Sequence, residues 1–330
     1  MSPTEILATN LLSPVVLAFA LGVTATLIRS DLEFPEPLYQ ALSIYLLLAI
    51  GLKGGVALSQ TPLGEFVGPA VVTVVLGLVT PIIAFAFLLA ILRMDRINAG
   101  ALAAHYGSVS AVTFLAAIAF GDATGQPAEG FMPALVALLE VPAIVVGLVL
   151  ARTGMAAPAE ADTSEGGVGW KAALHEVLTG RSIVLLVGGL VMGWIAGPER
   201  MEPVNPFFVA GFQGALTLFL LEMGLVAARR LRDLKEAGFM LVVFGTVVPL
   251  IHGALGVWGG ALSGLSVGGS AVLGTMVASA SYIAAPAAVR IALPEAKPSL
   301  YLTASLGITF PFNLVLGIPL YFALARMIGG

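Results

Sequence analysis

The sequence contains one stretch of 53 residues, 237–289, without a single formally charged side chain. Shorter uncharged stretches recur along the chain, at 6–28, 66–92, 97–121, 203–221 and 298–325. A helix crosses the hydrocarbon core of a bilayer with about 20 apolar residues, so 237–289 can supply two spans and the others one each. Only 10% of the residues are charged, whereas a soluble domain carries about 25%. The sequence therefore predicts an all-α, polytopic membrane protein.

Hydropathy and turn residues together predict ten membrane helices. The only long polar stretch, 152–181, divides them into two sets of five. We therefore predict a first five-helix repeat at 1–151, a linker at 152–181 and a second five-helix repeat at 182–330. Within the linker, Trp170 to Thr179 is typical of a short amphipathic segment. The ten spans are predicted at 12–29, 38–57, 67–92, 97–120, 131–151, 182–197, 206–227, 237–262, 268–290 and 299–328.

The lysines and arginines fall mostly on one side of these ten helices. The side with both termini has Lys53, Arg200 and Arg326, and the opposite side has the other twelve of the 15. Cytoplasmic loops of membrane proteins are enriched in Lys and Arg, so this split places the linker in the cytoplasm and both termini outside the inner (plasma) membrane. The twelve are Arg29, Arg93, Arg96, Arg152, Lys171, Arg181, Arg229, Arg230, Arg232, Lys235, Arg290 and Lys297.

The two halves of the chain can be aligned with each other. Five matches occur in the same order, at offsets between 168 and 173 residues. Each half has an odd number of spans, so the second copy enters the membrane upside down relative to the first. Inverted repeats of this kind are typical of secondary transporters, with helices broken near the midplane. The matches pair 13–22 with 181–190, 51–52 with 224–225, 79–83 with 247–251, 107–110 with 278–281, and 140–142 with 309–311.

The fourth and ninth spans each carry a polar cluster near mid-membrane, at 105–113 and 279–286. Gly and Ser loosen a helix, and Pro286 lacks a backbone N–H, so we expect both helices to be broken there. A half-helix that begins at the midplane directs free N–H groups and its positive dipole end at an anion. The predicted substrate-binding residues are Gly107, Ser108, Val109, Ser110, Ser279, Ala280, Ser281 and Tyr282.

Neither cluster contains Lys or Arg. An anion bound there needs a co-bound cation to balance its charge, and hydroxyl and carbonyl oxygens suit a hard cation such as Na⁺. A mid-span carboxylate such as Glu140 is costly without a partner or a function. We therefore predict Na⁺ as the coupling ion, with Ser110, Thr113, Ser281 and Glu140 as its ligands. The alternative for the clusters is close helix packing, since Ser and Gly let backbones approach.

Several classes of function are disfavoured by the sequence. The chain has no cysteine, which excludes thiolate chemistry, and its pI of 5.4 argues against nucleic-acid binding. The HExxH, GxSxG and P-loop motifs are missing, so we predict no enzyme activity. A channel, a carrier of another small anion such as a carboxylate, coupling to protons through Glu140 or His105, and a membrane sensor remain as alternatives.

At these motifs the chain resembles the sodium-dependent bicarbonate transporter family, found in cyanobacteria and other bacteria. The resemblance covers nearly the whole chain, and each motif is short, so that their order carries the match. The cyanobacterial members have Asp where this chain has Tyr282, and Asp in place of Glu140. The motifs are Ile50-Gly-Leu-Lys-Gly-Gly55, Tyr106-Gly-Ser-Val-Ser110, Glu140-Val-Pro-Ala143, Pro249-Leu-Ile-His-Gly253, Ser279-Ala-Ser-Tyr-Ile-Ala-Ala-Pro286 and Arg290-Ile-Ala-Leu-Pro294.

The resemblance implies ten helices in two inverted halves, a homotrimer, and a core domain that moves against a gate domain. It implies that bicarbonate and Na⁺ bind between the broken helices, with 107–110 and the serines at 279 and 281 contacting the substrate. A PII-like cytoplasmic regulator binds some family members. The 152–181 linker is shorter here than in the cyanobacterial members.

Overall fold

A computed structural model describes residues 8–153, 165–231 and 238–329, and every regular element in these ranges is helical. Within these ranges, eight helical stretches are long and apolar enough to cross a membrane. One of them, Arg96–Ala123, contains the first break, and the apolar helices Pro14–Leu27 and Val267–Ala278 are shorter. Residues 154–164 of the predicted linker, and Arg232 and Lys235 of the charge count, lie outside the described residues. The helices are α1 Pro14–Leu27, α2 Glu36–Gln60, α3 Leu63–Ala90, α4 Arg96–Gly107, α5 Ala111–Ala123, α6 Met132–Arg152, α7 Glu165–Thr179, α8 Arg181–Met201, α9 Phe212–Leu231, α10 Phe239–Leu262, α11 Val267–Ala278, α12 Ala284–Ala292 and α13 Pro298–Gly329.

The four helices α1, α2, α8 and α9 form a bundle held by glycine contacts, which we call the glycine bundle. Helix α1 packs on α9, and α2 packs on α8. A Cβ atom on Gly51 would lie 2.7 Å from the carbonyl oxygen of Leu186 and 3.0 Å from the Cα of Gly189. A Cβ on Gly22 would lie 3.1 Å from the Cα of Gly224. Only glycine permits such backbone contact, which is a common way for membrane helices to associate.

Helices α3, α6, α10 and α13 pack around the two broken spans. The first broken span consists of α4 and α5, and the second consists of α11 and α12. The whole of α4 from Asn98 to Gly107 is buried, as is α11 from Gly268 to Ala278. Both helices are rich in Ala and Gly, so their neighbours approach closely on every side. The half-helices are therefore enclosed by protein, as broken helices in a membrane must be.

Side-chain caps fix the start of three of the four half-helices. Asp95 caps α4 by accepting the Asn98 N–H at 2.9 Å, and Ser266 caps α11 by accepting the Gly269 N–H at 3.0 Å. Burial acts to raise the pKa of Asp95, but its hydrogen bonds from Asn98 outweigh burial and leave that pKa below its usual value. Such caps satisfy first-turn N–H groups that have no partner within the helix. Ser110 caps α5 in the same way.

Helix α7 covers the predicted amphipathic segment and lies on α12. Its Ala173 and Val177 are buried in the same apolar cluster as Ala285 and Ala288 of α12. Only Gly180 separates the end of α7 from the start of α8. This short helix therefore connects the group of helices around the breaks with the glycine bundle. We call the side of the molecule that holds α7 the linker side.

Two local features differ from the sequence-based expectation. Pro286 lies in the first turn of α12 rather than in the break itself. That position suits proline, because first-turn N–H groups have no partner within the helix. Helix α13, expected as one regular span, contains π-helical turns at Thr303–Thr309 and Asn313–Gly317 on either side of Phe310–Phe312. Pro311 lies between them and cannot donate a backbone hydrogen bond.

Candidate functional site

The two breaks meet and are joined by two hydrogen bonds. The backbone N–H of Ser110 donates to the hydroxyl of Ser279 at 2.8 Å. The N–H of Ser281 donates to the carbonyl of His105 at 2.8 Å. Each bond joins one break to the helix end of the other, so the two breaks form one unit.

The residues at the two breaks adopt matching backbone conformations. Ser108 has φ −85° and ψ 178°, and Ser279 has φ −82° and ψ 169°, both extended. Ser110 then caps α5, accepting the N–H of Thr113 at 3.2 Å and its hydroxyl at 3.0 Å. Ser281 accepts the N–H of Ala285 at 3.2 Å at the start of α12. The Gly/Ser clusters therefore produce two interrupted helices, as the sequence predicted.

A small cavity lies between the breaks, α6 and the glycine bundle. Its volume is about 10 Å³, close to the space of one water molecule. The N-terminal ends of α5 and α12 both reach it, through Ala111 and Ile283. The lining residues are Leu47, Val109, Ser110, Ala111, Val136, Glu140, Ser182, Leu186, Ser281, Tyr282 and Ile283.

Glu140 is the only acidic side chain that lines this cavity. It is 5% exposed, and no hydrogen bond or ion pair joins it to any other described residue. Lys and Arg are absent from the lining. A buried carboxyl group without a partner is costly, so its position beside the serines of both breaks favours a ligand that enters the cavity.

Five of the predicted site residues line the cavity together: Val109, Ser110, Glu140, Ser281 and Tyr282. The other five do not line it. Ser108, Ser279 and Ala280 lie within the breaks, and Gly107 and Thr113 lie in the adjoining half-helices.

Contacts behind the breaks explain why some of the polar residues do not reach the cavity. A Cβ on Gly107 would lie 2.7 Å from the Pro81 ring, so this glycine permits close packing of α3 and α4. The Thr113 hydroxyl is held by Ser110. His105 donates from Nδ1 to the carbonyl of Ala101 at 2.6 Å, and its ring stacks on Tyr301.

One wall of the cavity consists of residues of the glycine bundle, and none of these residues was predicted from the sequence. Leu47 of α2 and Ser182 and Leu186 of α8 form this wall. An apolar leucine or a single serine near a helix start carries no signal of its own. Only the packing of α2 on α8 places these three residues opposite the breaks.

A larger cavity of about 570 Å³, the vestibule, lies next to the small one on the linker side. Ser182, Tyr282 and Ile283 line both cavities and therefore separate them. Four charged residues line the vestibule: Glu36, Glu176, Arg181 and Arg290. On the opposite side, a cavity of about 260 Å³ between α1 and α5 shares no lining residue with the small cavity. The small cavity thus adjoins the linker side in this conformation.

Within the described residues, no group of three or more His, Asp or Glu side chains is placed to hold a metal ion. A site rich in carboxylates, of the kind that holds Ca²⁺, is therefore not found in this part of the chain. One carboxylate, two serine hydroxyls and two helix N-termini form a different donor set. It offers oxygen ligands for one small cation and N–H groups for one anion.

A comparison with models of protein families matches residues 14–326 to the Na⁺-dependent bicarbonate transporter superfamily. A search of curated proteins finds no match. The family match covers both breaks, Glu140 and all the membrane helices except the last residues of α13. Since this match covers residues 14–326, the chain, with its long apolar helices and its two joined breaks, belongs to the Na⁺-dependent bicarbonate transporter superfamily.

Proposed function

We propose that this protein is a secondary active transporter that carries bicarbonate, or a closely related small anion, together with Na⁺ across the inner membrane. The observation that carries the proposal is the composition of the small cavity. Two half-helix N-termini and one unpartnered carboxylate face it, and no Lys or Arg does. A cation and an anion bound together would balance each other in such a site.

The anion is proposed to bind at the N-terminal ends of α5 and α12. Each helix end carries about half an elementary positive charge, and free N–H groups there accept an anion. The Tyr282 hydroxyl is buried and near Ser110, but it makes no hydrogen bond of full geometry among the described residues, so we propose it as a further donor to the anion. A small planar anion suits this arrangement because several donors converge within a short distance.

The cation is proposed to bind Glu140 and the hydroxyls of Ser110 and Ser281. These three groups line one cavity, and oxygen ligands are those that Na⁺ prefers. Thr113, which bonds the Ser110 hydroxyl, is proposed to orient that ligand rather than to touch the ion directly. Accumulating an anion against an inside-negative potential costs about 2.3 kcal/mol per 100 mV, which an inward Na⁺ gradient can offset.

The proposed architecture is ten helices in two inverted halves, with the linker side in the cytoplasm. The contacts of the glycine bundle support it, because α1 with α9 and α2 with α8 are equivalent pairs when the halves are exchanged. Cysteines introduced at Ala123 and Thr179, both exposed and on opposite sides, test the orientation in this cysteine-free chain. Labelling of intact cells by an impermeant thiol reagent at 179 but not at 123 would refute it. A homotrimer and a PII-like regulator remain proposals from the family resemblance.

The alternative substrate is another small anion, such as a carboxylate, with proton coupling through Glu140. Acetate has as many heavy atoms as bicarbonate, so the two differ in chemistry rather than in size: bicarbonate carries a third oxygen where acetate has a methyl group. The hydroxyls and helix N-termini at the cavity favour the anion with three oxygens. Competition separates the two: excess acetate should leave bicarbonate uptake unchanged if the site is built for bicarbonate.

The deciding experiment is calorimetric binding of bicarbonate to purified protein, in Na⁺ and in a bulky organic cation at matched ionic strength. We expect measurable affinity only in Na⁺, because the cavity lacks a cationic side chain. Equal affinity in both buffers would refute symport. It would then favour an anion carrier that relies on helix dipoles alone.

A further inference from the structure

Two polar residues of α13, Thr309 and Asn313, flank the short segment Phe310–Phe312 between the two π-helical turns. Both are fully buried, and neither lines the small cavity or the vestibule. The Thr309 side chain bonds to other helices, and the Asn313 side chain bonds both to another helix and to Tyr321 of α13. Contacts between helices therefore fix the positions of both side chains, and through these contacts each residue is connected to one of the two breaks.

Thr309 connects α13 with the half-helix that ends at the first break. Its hydroxyl donates to the carbonyl of Gly245 in α10 at 2.7 Å. A threonine hydroxyl has one proton, so the 2.6 Å contact with Tyr106 is donated by the tyrosine. Tyr106 is the residue before Gly107, the last residue of α4. The end of α4 is thus tied through Thr309 to α10.

Asn313 makes the corresponding connection to the second break. Its Nδ2 donates to the carbonyl of Ala278, the last residue of α11, at 2.9 Å. That carbonyl belongs to the final turn of a helix and has no partner within the helix. The amide oxygen of Asn313 lies 3.2 Å from the Tyr321 hydroxyl, which also reaches the carbonyl of Pro249 at 3.0 Å. The end of α11 is thus tied through Asn313 to α10 and to the rest of α13.

We propose that Thr309 and Asn313 are positioning residues that hold the two half-helices, α4 and α11, so that the breaks meet in the geometry that binds substrate and Na⁺. The inference rests on the proposed function of the cavity. Both tethers end within two residues of a hydrogen bond that joins the breaks, from Ser110 to Ser279 and from Ser281 to His105. A displacement of either half-helix therefore moves the groups that line the cavity.

The effect of losing a tether should appear in affinity. Groups that orient ligands from behind typically change affinity by about 10- to 100-fold when they are removed. Thr309→Val keeps the shape of the side chain and removes both hydrogen bonds, and Asn313→Leu removes the donor to Ala278. We expect each variant to raise the KM for Na⁺ and for bicarbonate by about ten-fold, with a smaller change in kcat.

Matched variants separate positioning from a general loss of stability. Ser305 lies in the first π-helical turn, is fully buried, and donates only to the carbonyls of its own helix, at Tyr301 and Leu302. Ser305→Ala should therefore leave KM unchanged. Thr309→Ser retains the hydroxyl and should restore KM to near the wild-type value. Tyr106→Phe breaks the first tether from its other end, and Tyr321→Phe serves if Asn313→Leu does not fold.

The assay is uptake of labelled bicarbonate into proteoliposomes over a range of Na⁺ concentrations, with thermal stability measured on the same preparations. A wild-type protein without Na⁺-dependent uptake would refute the proposed function, and with it the positioning of a site for bicarbonate and Na⁺. A wild-type protein that transports, with Thr309→Val and Asn313→Leu variants that lose stability at unchanged KM, would overturn the positioning role. Additive KM effects of Tyr106→Phe and Thr309→Val would also overturn it, because one shared tether predicts that the second change adds nothing.

Discussion

Helices α6 and α13 follow the two broken spans, and the alignment of the two halves of the sequence pairs their prolines, Pro142 and Pro311. The surroundings of the polar residues in the two helices differ. Glu140 of α6 has no partner among the described residues and faces the small cavity. Its aligned counterpart in α13, Thr309, is bonded to Tyr106 and Gly245. A polar group buried in a membrane protein needs a partner. Thr309, which has partners in the protein, stabilises the packing of the helices, whereas Glu140 is available to bind a ligand.

This comparison predicts that residues lining the cavity affect transport far more than residues that are tied elsewhere. The largest effect is expected for Ser110→Leu and Ser281→Leu. A leucine side chain at either position would fill the small cavity with apolar atoms, and it removes an oxygen ligand. Both variants should insert normally, since leucine favours membrane helices, and should show no uptake. Uptake at the wild-type rate in well-expressed variants would mean that the two clusters serve only for packing.

The second prediction compares Glu140 with Thr309 directly. Glu140→Gln should weaken Na⁺-dependent uptake by about 100-fold or more, because a ligand should matter at least as much as the groups that orient ligands. It should not lower the free energy of unfolding, since it removes a buried carboxylate without a partner. Thr309→Val should instead lower that free energy by about 1 kcal/mol.

Reversible unfolding in mixed detergent measures the change in unfolding free energy for each variant, and uptake is measured in parallel. The contrast between the two helices fails if Glu140→Gln destabilises the protein as much as Thr309→Val does. It also fails if the two variants lose transport to the same degree.

The smallest effect is expected at Asn10, which is buried and donates to the carbonyls of Leu314 and Val315 in the second π-helical turn of α13, at 2.9 and 3.1 Å. Helix α6 has no π-helical turn that would free such carbonyls. Asn10→Ala should cost about 1 kcal/mol of stability and leave the KM for Na⁺ unchanged. Hydrogen exchange of the amides near residue 315 should become faster. A raised KM would show that this end of α13 also acts on the site.

Much of this arrangement could be predicted from the sequence, and for identifiable reasons. Hydropathy and turn residues predicted an all-helical membrane protein, because the energetic demand of a bilayer acts on each segment separately. Eight helical stretches among the described residues are long and apolar enough to span a membrane. The Gly/Ser clusters located both breaks because those residues act on the local backbone. Glu140, Ser110, Ser281 and Tyr282 were predicted as candidate site residues, but the sequence did not show that all four line one cavity.

The remaining features depend on contacts between distant segments. Ser182 and Leu47 line the cavity because α2 packs on α8, and no local pattern encodes that pairing. The π-helical turns of α13 likewise had no recognisable signal. Thr309 and Asn313 look like isolated polar residues in the sequence, and their bonds to Tyr106 and Ala278 span 203 and 35 positions.

The seating of α7 on α12 has a mechanical consequence. Helix α7 is buried against α12 through Ala173 and Val177, yet only Gly180 lies between it and α8. One residue spans at most about 3.6 Å. If α12 is displaced relative to α8, the backbone must therefore rotate at Gly180 or α7 must lose its contacts with α12. The single residue between α7 and α8 therefore limits how far α12 can be displaced relative to α8 while α7 stays packed on α12.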